Sequence, residues 1–375
     1  MNEHLKKLIR SHYHDLSGYV SAGMETAKGD EKIFLNANEN PYALPGLGSM
    51  NRYPEPQPAE LLEAYAKTYG VQTDQILATR GADESIKLLT RVFCEPHEDS
   101  VLIHPPTFGI YKVDAQSLPV EVLEAPLVEE SGAFSLNTEE MIETAKNKKA
   151  KMVYICSPNN PTGSSFAHED ILRICTELEG MSAIILDEAY VEFSEKDSLT
   201  PKLAEHPNLI ILRTLSKAYS LAGARMGVTL CADEKFISFM KEKVSDIYPL
   251  PLPSVMAALR ALSPESKDDF QNNIQTILSE RERMKEEFRT SRLIRKTYLS
   301  DANFLLVKMS DNKMDKNIAS DFIDFCRLQD LILRDLSGKP DTQGCIRITI
   351  GSPKQNDYLI KVMKRFEDKM AEAAA

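Results

Sequence analysis

The sequence predicts an α/β protein, with a large domain built on a mostly parallel sheet between helices and a smaller α+β domain after it. Three observations predict this. Short apolar runs alternate with longer amphipathic stretches through most of the chain, the rhythm of strands joined by crossover helices. That rhythm changes near residue 265, where a long charged helical stretch begins. The length of 375 residues leaves room for one large and one smaller domain.

Taken in order, the candidate strands of the large domain are Ile76–Thr79, Val101–His104, Met152–Cys156, Ala183–Leu186, Leu209–Leu212 and Gly227–Cys231. Each is a short run dominated by apolar residues, as expected where both faces of a sheet are covered. Helical patterns lie between several of them, for example Asp83–Phe93 and His168–Glu179. The run from Pro249 to Pro253 cannot continue a helix and marks the approach to the boundary. A helix is expected from Pro264 to about Arg289, followed by strands near Asn303–Val307, Leu331–Leu333 and Cys345–Ile350. The expected division is an N-terminal arm over 1–30, a large domain over 31–262 and a small domain over 263–375.

Composition narrows the functional classes. Apolar residues make up 42% and charged residues 27%, the profile of an ordinary globular protein. A formal charge of −11 argues against a nucleic-acid partner, which needs a concentrated basic face. No apolar run approaches the roughly 18 residues that suggest a membrane span. The first residues lack the apolar core of a secretory signal, so a cytoplasmic location is expected. The six cysteines are scattered without a C-x-x-C pair and read as free thiols; no metal site is expected, since His12 and His14 have no further ligands nearby.

Four motifs carry the chemistry, and each ends or follows a predicted strand. Gly81-Ala-Asp-Glu84 opens a helix, where small residues let backbone N–H groups approach an anion; alone it also reads as an ordinary N-cap. Ser157-Pro-Asn-Asn-Pro-Thr-Gly163 follows Met152–Cys156; it reads as a turn, yet an Asn there can donate to a phenolate oxygen. Asp187-Glu-Ala-Tyr190 puts a carboxylate at the end of a buried run, which is costly unless it meets a cation such as a protonated pyridine nitrogen. Arg213-Thr-Leu-Ser-Lys-Ala-Tyr-Ser-Leu-Ala-Gly-Ala-Arg225 offers the Ser216 hydroxyl, the Lys217 amine and the Arg225 fork. An amine for a Schiff base, a partner for a ring nitrogen, a donor to a ring oxygen and a phosphate cup are what pyridoxal 5'-phosphate requires.

With these residues in hand, the chain resembles the fold-type I pyridoxal-phosphate enzymes of the class I/II aminotransferase family over nearly its whole length. Further matching segments are Leu35-Asn-Ala-Asn-Glu-Asn-Pro41, Asn51-Arg-Tyr-Pro-Glu-Pro56, Arg80-Gly-Ala-Asp-Glu84, Pro105-Pro-Thr-Phe-Gly-Ile-Tyr111, Arg334-Asp-Leu and Arg347-Ile-Thr-Ile-Gly351. The resemblance implies that Lys217 is the Schiff-base lysine and proton shuttle and that Asp187 holds the pyridinium nitrogen. It implies that Asn160 and Tyr190 bond the ring oxygen, and that Ser216, Arg225 and the backbone of Ala82 and Asp83 bind the phosphate. Phe108 stands at the ring-stacking position, where Tyr is common; stacking needs only an aromatic face, so the change removes a hydroxyl rather than the contact. Tyr53 is implied to reach the phosphate from the neighbouring subunit of a homodimer.

Asn38, Arg347 and Tyr19 are implied to contact substrate, although the segment Leu16–Ala22 lacks the Pro-Gly pair of many relatives. The resemblance is closest to the bacterial histidinol-phosphate branch, which implies transfer between L-histidinol phosphate and 2-oxoglutarate or glutamate. A broad-specificity or aromatic aminotransferase, or a phosphoamino-acid decarboxylase, stays open on the same scaffold. A regulator of this fold would carry a DNA-binding domain, and the roughly 30 residues before the Asn-Ala-Asn segment leave no room for one. No strand is followed by the G-x-G-x-x-G of a nicotinamide enzyme.

Overall fold

The computed structural model describes residues 1–18, 33–310 and 318–374. Its strands are β1 (Ile76–Thr79), β2 (Ser100–Ile103), β3 (Glu121–Glu124), β4 (Val128–Glu130), β5 (Ala133–Ser135), β6 (Met152–Cys156), β7 (Ala183–Asp187), β8 (Leu209–Thr214), β9 (Gly227–Leu230), β10 (Ile294–Thr297), β11 (Phe304–Met309), β12 (Arg334–Asp335) and β13 (Cys345–Thr349). Seven of them form one sheet in the order β1-β9-β8-β7-β6-β2-β3. The pairs from β3 through to β8 are parallel, while β9 runs antiparallel to both β8 and β1. The fold is therefore α/β with a mixed, mostly parallel central sheet, as the alternating pattern predicts.

Both faces of this sheet are buried, which is why its central strands read as continuous apolar runs. Val153, Ile155, Ile184 and Leu186 enter one core, while Met152, Tyr154, Ala183 and Ile185 enter the other. Part of the expected N-terminal arm belongs to the second core. The helix Glu3–Leu8, capped by the Asn2 side chain, sends Leu5 and Leu8 into it, and Ile9 and Tyr13 follow.

A second sheet, in the order β10-β11-β13-β12, is antiparallel throughout and has its own core. The helix Lys267–Thr290, led by a 3₁₀ turn at Pro264–Ser266, touches both regions. Met284 and Phe288 pack under the second sheet, whereas Ile274 joins Ala189, Tyr190, Ala218 and Phe304 in a bridging cluster. Arg281 Nη1 fastens the bridge by donating to Phe193 O (3.1 Å) and Ala302 O (3.0 Å).

The structure departs from the sequence reading in three places. The strand expected at Leu331–Leu333 is displaced to Arg334–Asp335; Leu331 and Leu333 serve as packing residues against the core of the second sheet, and ladder pairing starts only after them. The proline run does not merely interrupt: it starts the helix Leu252–Ala261, with Pro253 in the first turn, where a missing N–H costs nothing. Strands β3, β4, β5 and β10 went unrecognised because they are edge or hairpin strands of only three or four residues, too short for an alternating pattern to stand out.

Candidate active site

The parallel strands β6, β7 and β8 end on one side of the large sheet, and the antiparallel β9 begins there, since Gly227 pairs with Thr214 and Thr79. A cleft of about 510 Å³ opens at this edge and is closed on its far side by residues of β12, β13 and the turn between them. Ligands of open α/β sheets bind at such strand ends.

At the floor lies Asp187, the last residue of β7, which is only 3% exposed. Its Oδ1 accepts from Ala189 N at 3.0 Å and its Oδ2 from the Tyr111 hydroxyl at 2.7 Å. Burial raises its pKa above the usual carboxylate range, and the two donors oppose that rise. A buried carboxylate so placed is chemically fitted to a cation.

Asn160 is delivered by the turn after β6. Its neighbour Asn159 does the structural work there: Nδ2 donates to Pro106 O and Thr162 Oγ1, both at 2.9 Å, and Oδ1 accepts from Thr107 Oγ1 at 3.0 Å. Asn160 is thereby left facing the cleft, where its Nδ2 donates to the Tyr190 hydroxyl at 3.3 Å. Its Oδ1 accepts from Arg347 Nη1. One amide thus joins a residue of the large sheet to an arginine of β13, a link the sequence gives no sign of.

Lys217 follows β8 and opens onto the cleft mouth. Its Nζ stands 5.5 Å from the centre of the Tyr190 ring. Partial burial and then the Arg347 charge lower its pKa, so the neutral amine is more available than in a solvated lysine. Ser216 and Arg225 stand beside it, with Arg225 Nη1 donating to Ser216 Oγ (3.3 Å) and Nη2 to Asp83 Oδ2 (3.0 Å). Thr214 also belongs to this group, its hydroxyl donating to Ser216 Oγ at 3.0 Å; the sequence reading overlooked it, although it lies only two residues before Ser216.

The helix Ala82–Phe93 points its N-terminus into the same space. Its start can come this close because of two glycines. Gly81 has φ +83°, and a Cβ there would lie 2.9 Å from Arg225 Nη2. At Gly227 a Cβ would lie 2.8 Å from Ala82 N. Backbone N–H groups, a hydroxyl and a guanidinium converge here, a donor set suited to a phosphate. Half-buried Phe108 lines the cleft as well. A buried carboxylate, an amine, ring-oxygen donors and a phosphate cup in one cleft of this volume fit a phosphorylated pyridine aldehyde.

The structure therefore brings together Lys217, Asp187, Asn160, Tyr190, Ser216, Arg225, Ala82, Asp83, Phe108 and Arg347. It does not bring Asn38 or Tyr53 to the cleft of their own chain. Both lie exposed on the segment after residue 33, where Glu39 accepts from Arg52 Nη1 (2.6 Å) and Tyr53 N (2.7 Å), and Tyr53 stacks on Tyr248 at 4.4 Å. Tyr19 lies outside the described residues. Two cations without an expected role, Arg334 and Lys339, line the mouth beside Arg347. Arg334 is brought there by ladder pairing with Arg347. Among the described residues no cluster of three or more metal-ligating side chains occurs, and no helix is long and apolar enough to cross a membrane. The six cysteines are buried free thiols.

The sequence pattern of the family described as aminotransferase class I and II matches residues 31–363. Over 358 residues the chain is 37% identical to the histidinol-phosphate aminotransferase of Stenotrophomonas maltophilia, covering 95% of each protein. Over 367 residues it is 39% identical to histidinol-phosphate aminotransferase 2 of Idiomarina loihiensis, covering 96% of this chain and 99% of that one. Its fold matches the crystal structure of histidinol-phosphate aminotransferase from Sinorhizobium meliloti in complex with pyridoxal-5'-phosphate, with a TM-score of 0.75, 24% identity and 85% of each chain covered.

Proposed function

The chain belongs to the class I and II aminotransferase family, and from that premise we propose that its cleft moves the amino group of L-histidinol phosphate to 2-oxoglutarate with the help of pyridoxal 5'-phosphate. The observation that carries the proposal is the convergence of Lys217, Asp187 and Asn160 with three cations, Arg334, Lys339 and Arg347, in one cleft.

When bound, the cofactor supplies a carbonyl for the amine and a ring that takes up the electron pair released at the substrate carbon. Lys217 is the residue that holds the cofactor through its amine. The same nitrogen, when free, would carry the proton between the two carbons, a task its lowered pKa suits. Asp187 keeps a proton on the ring nitrogen by pairing with it in a buried setting. Asn160 and Tyr190 would donate to the ring oxygen, Phe108 would stack on the ring, and Ser216, Arg225 and the N–H groups of Ala82 and Asp83 would hold the phosphate.

Arg347 takes the substrate's anion. L-Histidinol phosphate carries a phosphate-bearing carbon where glutamate carries its α-carboxylate, and a guanidinium fork suits both. Arg334 and Lys339 add charge at the mouth, which favours a dianionic phosphate.

A homodimer is part of the proposal. Ile33 (87% exposed), Leu35 (90%), Tyr42 (80%) and Leu44 (68%) form an apolar stretch that a second copy would cover. Tyr53 and Asn38 on that same stretch then serve the partner's cofactor phosphate and substrate pocket, and Tyr19 belongs with the substrate contacts. We further assign residues 1–30 to an arm, 31–262 to a large cofactor-binding domain and 263–375 to a small domain. A reducing, cytoplasmic setting agrees with six buried free thiols.

The deciding experiment is an assay of the purified protein with L-histidinol phosphate and 2-oxoglutarate beside phenylalanine and tyrosine, with CO₂ release monitored. Preferred turnover of the phosphate donor without CO₂ is expected. Equal or better turnover of the aromatic amino acids would replace this reading by a broad-specificity one, and CO₂ release by a decarboxylase.

A further inference from the structure

We propose that Tyr111 is the positioning residue for Asp187, fixing its carboxylate in the orientation and charge state that the cofactor's ring nitrogen requires. This rests on the pyridoxal-phosphate reading above and extends it to a side chain with no role assigned so far. Tyr111 lies on the helix Ile110–Ser117 and is fully buried. Its hydroxyl meets Asp187 Oδ2 at 2.7 Å, while Ala189 N meets Oδ1 at 3.0 Å. With one rigid donor on each oxygen, the carboxylate cannot rotate without losing a hydrogen bond. Each oxygen still has a lone pair for a ring N–H.

The phenol is itself held in place. Its ring stacks on Tyr154 with centroids 4.5 Å apart and planes 10° apart. The Tyr154 hydroxyl lies 2.9 Å from Thr90 Oγ1, which ties the stack to the helix that opens at Ala82. The edge of Tyr111 also meets Phe108 at 5.6 Å and 86°. One buried side chain therefore touches both Asp187 and the residue assigned to the ring face.

The electrostatics agree with this geometry. Burial and the neighbouring Asp187 charge push the Tyr111 phenol far up, so it remains a donor. The titratable groups facing Asp187 are Tyr111 and, from the other packed elements, Tyr154 and Cys156 on β6, Asp83 on its helix, Tyr190 and Lys217. Burial raises Asp187, and the Tyr111 hydrogen bond is the foremost influence opposing that rise. Without it the carboxyl would hold its proton more tightly and pair less well with a cation.

The test compares Tyr111→Phe with wild type and with Tyr111→Leu. The phenylalanine variant keeps the ring stack and loses only the hydroxyl. Loss of a hydrogen bond to a charged group predicts cofactor Kd and kcat each worsened by roughly tenfold or more. KM for the amino donor should change less than about twofold, because no substrate contact is removed. The pH midpoint of the bound cofactor's visible absorbance should move upward by about one unit, since a less positive ring repels a second proton less. The proposal is overturned if Tyr111→Phe matches wild type in Kd, kcat and midpoint. It is equally overturned if Tyr111→Phe lowers only the melting temperature with the midpoint unmoved; Tyr111→Leu, which loses the ring stack as well as the hydroxyl, should show the midpoint shift together with a larger drop in melting temperature. A wild-type protein that takes up no pyridoxal phosphate would instead sink the functional reading itself.

Discussion

The floor of the cleft and its mouth are built from different materials. At the floor, Asp187, Asn160 and Tyr190 are each at most 7% exposed and already hydrogen-bonded to one another's surroundings. At the mouth, Arg334 and Lys339 stand exposed on the second sheet and its turn, and half-buried Arg347 reaches across to the floor through Asn160. Preorganised buried groups act where charge develops and pay no reorganisation there. Exposed charges attract and select ligands, but solvent and salt weaken them. The contrast assigns turnover to the floor and discrimination among amines to the mouth.

The largest effect should follow loss of the amine that works against the floor groups. Lys217→Ala removes the proton carrier and the covalent anchor together, so turnover should fall by more than about 10⁴-fold. The phosphate cup is untouched, and dialysis followed by absorbance should still find cofactor bound in part. Normal transaminase activity with an unchanged spectrum would break the division between floor and mouth at its strongest point.

Next in size is a pH effect at Asp187. Burial raises its pKa in the cofactor-free chain, and a bound cation would pull it back down. Cofactor binding therefore releases a proton below the raised value. Affinity should be greatest above that value and fall as pH drops through it, by up to about tenfold per pH unit. Asp187→Asn should flatten this dependence and lower kcat/KM by roughly 10²–10³, the range expected when a buried ion pair loses one partner. Titration of the apoprotein with pyridoxal phosphate across pH measures both. A pH-independent Kd in the wild type would mean that Asp187 meets no cation.

Arg347→Ala probes the junction of the two regions. It should raise KM for both amino donors by roughly 30- to 150-fold, the loss of a charge-assisted bidentate contact. Some fall in kcat should accompany it, because Asn160 loses the donor on its Oδ1. Steady-state kinetics with each donor separates these. A defect confined to the glutamate half-reaction would show that the two anions occupy different sites.

The same contrast explains what could be read in the sequence. Asn160, Asp187, Ser216 and Lys217 were legible because each sits in a contiguous motif just past an apolar strand, where chemistry and chain position coincide. Tyr111 was visible as part of a family motif, yet its role depends on a helix carrying it to a carboxylate 76 residues away. Arg334 comes to the mouth through a two-residue strand whose pairing no apolar pattern announces. Asn38 and Tyr53 lie on an exposed segment away from the cleft of their own chain, where no buried strand end points to a role. Local pattern reports buried elements well; it is poor at edge strands and at residues whose partners are set by tertiary or quaternary packing.

The smallest effect, and the sharpest test of the contrast, belongs to Lys339. The residue is exposed and precedes the 3₁₀ turn Pro340–Thr342 at the cleft mouth. A solvated cation contributes little to holding a ligand, so Lys339→Gln should leave kcat unchanged and raise KM by less than about fivefold. The increase should be larger for the phosphate donor than for glutamate, because a dianion interacts more strongly with each cation than a monoanion does. It should also fade as ionic strength rises past the point where the screening length is about 8 Å. Arg347→Ala, by comparison, should keep most of its penalty in high salt, since its guanidinium is half-buried. Kinetics of both variants at low and high salt therefore separate a screened mouth from its less screened junction with the floor. Equal salt responses in the two would show that the cleft is one electrostatic environment rather than two.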